Sequence, residues 1–152
     1  MKIFKIATLM MLLLLAVAIP ATASLMTLDV PFDSANFTAN NVMTWTVVST
    51  GQKHYRFYQE NTQLFMSFKI QGTIGGTPST KLFVKLPNGL ISKNSVSFIV
   101  AVNSFGTGWQ WGFGNVSAGG NTIDFQLSQP TTFSNWGVGS AEVDFVGVIE
   151  VQ

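Results

Sequence analysis

Residues 63–71 read QLFMSFKIQ, and this stretch decides the fold class. Apolar and polar residues alternate along it, so that Leu64, Met66, Phe68 and Ile70 share one face while polar residues share the other. A period of two residues is that of a β-strand, because successive side chains point to opposite faces. Only Phe65 departs from the alternation. The stretch therefore predicts a strand with one face on a core and the other in water.

The same period recurs along the chain and predicts an all-β fold. Glycine, asparagine and proline separate the runs at Asn61-Thr62, at 72–80, at 87–89 and at 118–121. Helical periodicity of useful length is not found after residue 23. About eight short strands at regular spacing predict an antiparallel two-sheet β-sandwich, jelly-roll-like, spanning residues 42–152. The less patterned residues 24–41 are expected to form an N-terminal arm. The apolar rows include Trp45 and Val47, Tyr55 and Phe57, Leu82 to Leu86, Val96 to Val102, Trp109 to Phe113, Ile123 to Leu127, and Val143 to Val151.

The first 23 residues predict a signal peptide that forms a hydrophobic helix. Lys2 and Lys5 precede an apolar run over 6–19, Pro20 ends it, and Ala21-Thr22-Ala23 supplies small residues for cleavage. A retained membrane anchor is the alternative, but a spanning helix needs roughly 20 apolar residues and this run is shorter. The expected location is therefore secreted or at the cell surface, with membrane contact only through an uncleaved leader.

Composition limits the classes of partner and of chemistry. The chain carries eight Lys and Arg against seven Asp and Glu, and without the leader six basic residues face seven acidic ones. Binding to nucleic acid is not expected, because it needs clustered basic residues. The chain has no cysteine, which removes thiol catalysis, disulfides and Cys-ligated zinc. Neither a cofactor nor a metal is predicted. Two glycosylation acceptor patterns, at 36–38 and 115–117, are frequent by chance.

The loops and strands also resemble a known class of domain. Phe37-Thr38-Ala39, Met43 to Val47, the strand from Tyr55 to Tyr58, the loop at 75–80, and Leu86-Pro87-Asn88-Gly89 are similar to β-sandwich modules of bacteriophage tail-fibre and receptor-binding proteins and of related uncharacterised bacterial and viral proteins. The likeness runs from about residue 37 to residue 152. It implies a jelly-roll-like, often trimeric module that works in attachment or assembly. It implies neither a defined ligand nor catalytic residues.

Catalytic groups are sparse in the sequence. His54 is the only histidine and alternates with Arg56, Tyr58 and Glu60, whose side chains point the same way. These four residues are either a solvated sheet face or a row that holds a sugar or a carboxylate. Asp124 and Asp144 are the pair of carboxylates to consider for glycoside hydrolysis, although each fits an exposed strand position. Asp29 and Asp33 lack the spacing of a calcium loop. We therefore expect a protein that is not an enzyme.

Aromatic residues give the better indication of binding. Trp136 lies in a Gly- and Ser-rich stretch, where exposure and a role in ligand binding are plausible, because indole rings stack on sugars. Trp109 and Trp111 are expected in the core, with a binding face as the alternative. Further apolar residues would lie on the outer side of a monomer and suggest a homo-oligomer, with a trimer favoured. These are Phe65, Phe83, Ile99, Val146 and Val148.

The sequence thus predicts an exported binding or attachment module that recognises a glycan or a cell-surface protein through the loops of a sandwich. The alternative is a structural subunit of an extracellular or virion assembly.

Overall fold

A computed structural model describes residues 25–128 and 134–152. The predicted signal segment, residues 1–23, lies outside the described residues. Within them the chain forms nine strands and two short 3-10 turns, at Ser34–Asn36 and Pro87–Gly89. The strands are β1 (Met26–Leu28), β2 (Phe37–Ala39), β3 (Met43–Glu60), β4 (Gln63–Gly76), β5 (Leu82–Lys85), β6 (Val96–Ser104), β7 (Gly108–Val116), β8 (Thr122–Leu127) and β9 (Gly139–Glu150). The predicted all-β class is confirmed.

The hydrogen bonds join these nine strands into one sheet rather than two. The strand order is β1-β3-β4-β9-β6-β7-β8-β5-β2, and every pairing is antiparallel. The sheet curls until its far strand β2 approaches β3. Phe37 of β2 lies 5.8 Å from both Trp45 and Tyr55 of β3, measured between ring centroids. The curl therefore encloses the core without the separate second sheet that the sequence analysis expected.

Three boundaries differ from the sequence expectation. β4 continues to Gly76 and so includes the first half of the segment 72–80 that was expected to separate two strands. The predicted strands around Val47 and Tyr55 are one strand, β3, and the pairing with β4 shifts register between Val47 and His54. Such irregularities bend a strand without ending it, so the chain continues through Gly51 as one strand. The expected arm at 24–41 contains β1 and β2, and these two strands are the edges of the sheet. The sheet thus begins before residue 42.

The core lies on the concave side of the sheet. The row of β4 that set the fold class, Leu64 to Ile70, is fully buried. Phe68 lies 5.9 Å from Phe125 of β8 and 4.9 Å from Phe145 of β9, measured between ring centroids. Aromatic rings at these distances add to the roughly 1.5–3 kcal/mol that burial of each such side chain contributes. The strands that lie far apart in the sheet order are therefore held together by their inner faces.

Tyr55 provides a test of this core. Its hydroxyl is buried and, among the described residues, has no hydrogen-bond partner, and burial raises the pKa of this hydroxyl above its usual range. An unsatisfied buried polar group costs about 1–3 kcal/mol. We expect Tyr55→Phe to raise the free energy of unfolding by about 1 kcal/mol.

The pH dependence gives a second measure for the same substitution. Because the folded-state pKa of Tyr55 is raised, the neutral hydroxyl is favoured by folding, and the wild type loses stability as pH rises above about 10, the unfolded pKa. Tyr55→Phe should remove that component of the alkaline loss. Urea denaturation at neutral pH and at about pH 10.5 measures both effects, and a less stable variant at neutral pH would contradict the assignment.

Candidate functional site

The convex side of the sheet carries an unusual number of exposed apolar side chains. We call the outward side chains of β3, β4, β9, β6 and β7 the outer face. Val146 is 75% exposed, Ile99 is 71% exposed and Trp111 is 69% exposed. Large exposed apolar patches mark contact surfaces for proteins or ligands. The apolar members of the outer face are Val48, Phe65, Ile99, Ala101, Trp109, Trp111, Phe113, Val146 and Val148.

The core position expected for Trp109 and Trp111 is wrong. Both point outward, and Trp109 is 52% exposed. The inner row of β7 contains Gly112 and Gly114 instead. A Cβ on Gly112 would lie 2.5 Å from the Gln126 carbonyl oxygen, and one on Gly114 would lie 3.0 Å from the Phe125 ring. Only glycine fits where the curled sheet brings these groups so close, and the alternation then forces the tryptophans to the outer face.

A charged cluster borders the tryptophans. The Lys69 ammonium lies 5.0 Å from the centre of the Trp109 ring, within the range of a cation–π contact. The same nitrogen lies 3.1 Å from Glu142 Oε1 and 3.8 Å from Asp144 Oδ2. One cation and two carboxylates thus sit together on β4 and β9, beside an aromatic edge. The Lys69 ammonium therefore lies over the indole of Trp109, while the indole of Trp111 stays open to solvent.

The outer face also contains the predicted row of His54, Arg56, Tyr58 and Glu60. These residues lie on β3, where His54 pairs with Lys69 and Arg56 pairs with Ser67. His54 is half-buried and Arg56 is exposed. The pairings place His54 and Trp111 on one face about 19 Å apart, at four strand spacings. Both groups were predicted from the sequence, but not on the same surface. The row that joins them runs through His54, Lys69, Asp144, Ala101 and Trp111.

Trp136 lies elsewhere, and its expected exposure is wrong. The side chain is 0% exposed. Its Nε1–H donates to the Phe125 carbonyl oxygen at 3.3 Å, and its backbone N–H donates to the Ser79 carbonyl oxygen at 2.9 Å. A large indole gains most from burial when its polar atom finds an acceptor. The small residues around Trp136 allow the loop to carry it inward, so Trp136 cannot contact a ligand in this structure.

The carboxylates considered for catalysis do not face one cleft. Asp144 lies on β9 and Asp124 on β8, three strands away or about 14 Å across the sheet. Asp124 Oδ2 instead pairs with Lys81 at 2.6 Å, and Asp124 Oδ1 accepts a hydrogen bond from Asn115. Glycosidases place their two carboxyl groups closer, at about 5–10 Å. The separation of Asp124 and Asp144 therefore does not fit glycoside hydrolysis by this pair.

The N-terminal acids do not combine into a metal site either. Asp33 Oδ1 accepts the backbone N–H of Ala35 at 2.9 Å and so caps the first 3-10 turn. Over residues 25–128 and 134–152, acidic and histidine side chains form no cluster of three or more that could ligate a metal. In the same part of the chain, no helix has the length and apolar character needed to cross a bilayer.

Comparison with family models, with curated proteins and with solved structures found no match for this chain. The resemblance to tail-fibre and receptor-binding modules therefore stays a prediction from the residues that carry it. The functional interpretation consequently depends on the surface chemistry of the outer face.

Proposed function

We propose that the protein is an exported, non-enzymatic attachment module, and that it works as a structural subunit of an extracellular or virion assembly. The outer face carries this proposal, since it exposes aliphatic as well as aromatic side chains next to one another. Exposed Ile99 and Val146 offer no hydrogen bond to a hydrated ligand. Their burial under a protein surface is favourable, because it removes apolar area from water. A contact surface of this kind favours joining of subunits over recognition through loops.

Two features of the sequence support the same proposal. The leader over residues 1–23 supports a location outside the cytoplasm, secreted or on a surface. The resemblance to tail-fibre modules supports a role in assembly and a jelly-roll-like packing, in which the curled sheet folds over its core as two layers. Phe68 against Phe125 is the kind of contact that such layers make.

The experiment is a mass measurement on the protein expressed from residue 24. Light scattering at several concentrations should give a discrete oligomer that dissociates on dilution, and electron microscopy should show particles of one size. A monomer at every concentration would contradict the structural role.

Glycan recognition is a second candidate, favoured by the two tryptophans. A hollow of about 390 Å³ is lined by Ala101, Trp109, Gln110 and Trp111, and exposed indoles stack on sugar faces. The test is a glycan array. Trp111→Ala should abolish binding and Phe105→Ala, which changes an exposed aromatic residue in the hairpin between β6 and β7, should keep it. An array without signal would remove this candidate.

A further inference from the structure

The outer face is large enough to form a contact between two copies of this chain. It spans five strands spaced about 4.8 Å apart and four rows of outward side chains spaced about 6.8 Å apart, which gives on the order of 600 Å². A standard interface covers about 800 Å² on each partner, and weaker contacts cover less. The area therefore suits a moderate, concentration-dependent association rather than a permanent one.

We propose that the outer face packs against the outer face of a second copy, across a two-fold axis that runs along the strands between β9 and β6. This inference rests on the proposed structural role and identifies the partner subunit as a second copy of the same chain. Two sheets packed face to face lie about 10 Å apart with their outward side chains interleaved. Under this symmetry β9 of one copy faces β6 of the other, and β4 of one copy faces β7 of the other.

The side chains that would then meet are complementary. Asp144 on β9 pairs with Ala101 on β6 within each copy. Val146 lies two residues after Asp144 and Ile99 lies two residues before Ala101, so both lie at the same level of these antiparallel strands. In the dimer, Val146 of one copy therefore faces Ile99 of the other. Lys69 on β4 would face Trp111 on β7 of the second copy. The two would form a cation–π contact across the interface, like the contact between Lys69 and Trp109 within one copy.

The charges on the outer face do not oppose this arrangement. Glu142 and Asp144 on β9 would face the second copy's Asn103 and Ala101 on β6, which are uncharged. The basic residues Lys69 and Arg56 would face β7 and β8 of the second copy. At the directly opposed positions like charges therefore do not meet, and the Asp144 carboxylates of the two copies, which approach each other beside the axis, are each paired with Lys69.

The distribution of apolar residues favours a pair over the trimer that the sequence analysis expected. A two-fold contact uses the same patch on both copies, whereas a ring of three needs two different patches on each copy. Among the described residues, the apolar side chains exposed away from the outer face form smaller groups, such as Leu25 with Met26 at the N-terminal edge and Phe105 with Val138 beside the hairpin between β6 and β7. The outer face is one continuous patch, and two copies that join through it form a closed dimer.

The test is a charge exchange at the two central positions. A lysine variant carries Ile99→Lys and Val146→Lys, and an aspartate variant carries Ile99→Asp and Val146→Asp. Each variant alone should be monomeric, with the dissociation constant raised by more than about 100-fold, because like charges meet across the axis. An equal mixture of the two should form dimers that contain one copy of each. Both positions are exposed, so at a concentration where the wild type is monomeric the thermal midpoints of the variants should stay close to that of the wild type.

Sedimentation equilibrium on the protein from residue 24 distinguishes the outcomes. A matched control, Val42→Lys, adds charge away from the face and should leave the dimer intact. If the wild type assembles but the two variants assemble equally well, or if its mass is that of a trimer, this pairing is wrong while the structural role survives. If the wild type is monomeric throughout and binds a glycan that Trp111→Ala loses, both the pairing and the structural role are overturned.

Discussion

Replacing Trp136 by alanine should lower the free energy of unfolding by about 3–5 kcal/mol, the usual cost of removing a large buried aromatic side chain. The indole is fully buried and its Nε1–H donates to the Phe125 carbonyl oxygen. Its removal would leave a cavity behind β8 and leave that carbonyl without its donor. A marginally stable domain can lose most of its stability through one such change.

Urea denaturation measures this loss, and Trp111→Ala is the matched control. Trp111 has the same side chain on the outer face, and exposed substitutions usually change stability by no more than about 0.5 kcal/mol. Equal losses in the two variants would contradict the placement of these tryptophans. A binding experiment with Trp136→Ala would report unfolding, so recognition has to be tested at Trp111.

The second large effect is expected at Gly112. Its Cβ position lies 2.5 Å from the Gln126 carbonyl oxygen and 3.1 Å from a methyl carbon of Val102. Gly112→Val would push β7 away from β8 and break ladder hydrogen bonds, and we expect a loss of about 3 kcal/mol, at the upper end of overpacking effects. The clash is with backbone, so a rotamer change cannot relieve it.

Gly75→Ala is the control for this substitution. The nearest atom to its Cβ position is the Thr44 hydroxyl oxygen at 3.0 Å, which a side-chain rotation can move away. We expect its stability to stay within about 1 kcal/mol of the wild type, since alanine also reduces the freedom of the unfolded chain. Thermal denaturation of both variants provides the measurement. A Gly112→Val protein as stable as Gly75→Ala would show that the inner row of β7 is wrongly assigned.

The strand class was predictable because alternation is a local property of the chain. Leu64 to Ile70 form the buried row of β4 as expected. The joining of all strands into one curled sheet was not predictable in this way, because backbone hydrogen bonds between β6 and β9, or between β5 and β2, depend on residues far apart in sequence. The full length of β3 was not predictable either, because the alternation is interrupted near Gly51, where the pairing with β4 shifts register.

The candidate site was predictable where the opposite face of a strand was clearly apolar. On β6 and β9, buried Val100, Val102 and Val143 fix the inner row, and so Ile99 and Val146 were correctly placed outside. On β7 hydrophobicity gave the wrong answer, because the larger side chains were assigned inward. Gly112 and Gly114 were the available signal, since alternating glycines indicate a tightly packed row.

Loop positions gave no such constraint. Trp136 belongs to no named strand, and neither period nor composition decides whether such a residue turns in or out. The acceptor that draws it inward is a backbone carbonyl of β8, which has no signature in the sequence.

The most direct test of the account is hydroxyl-radical footprinting of the protein from residue 24, at low and at high concentration. The central claim is that the outer face is the contact surface. Labelling of Ile99, Trp111 and Val146 should therefore fall as the concentration rises, while labelling of exposed Phe105 stays constant. Labelling of these three residues that is independent of concentration, or protection that appears instead around Phe105, would contradict the account.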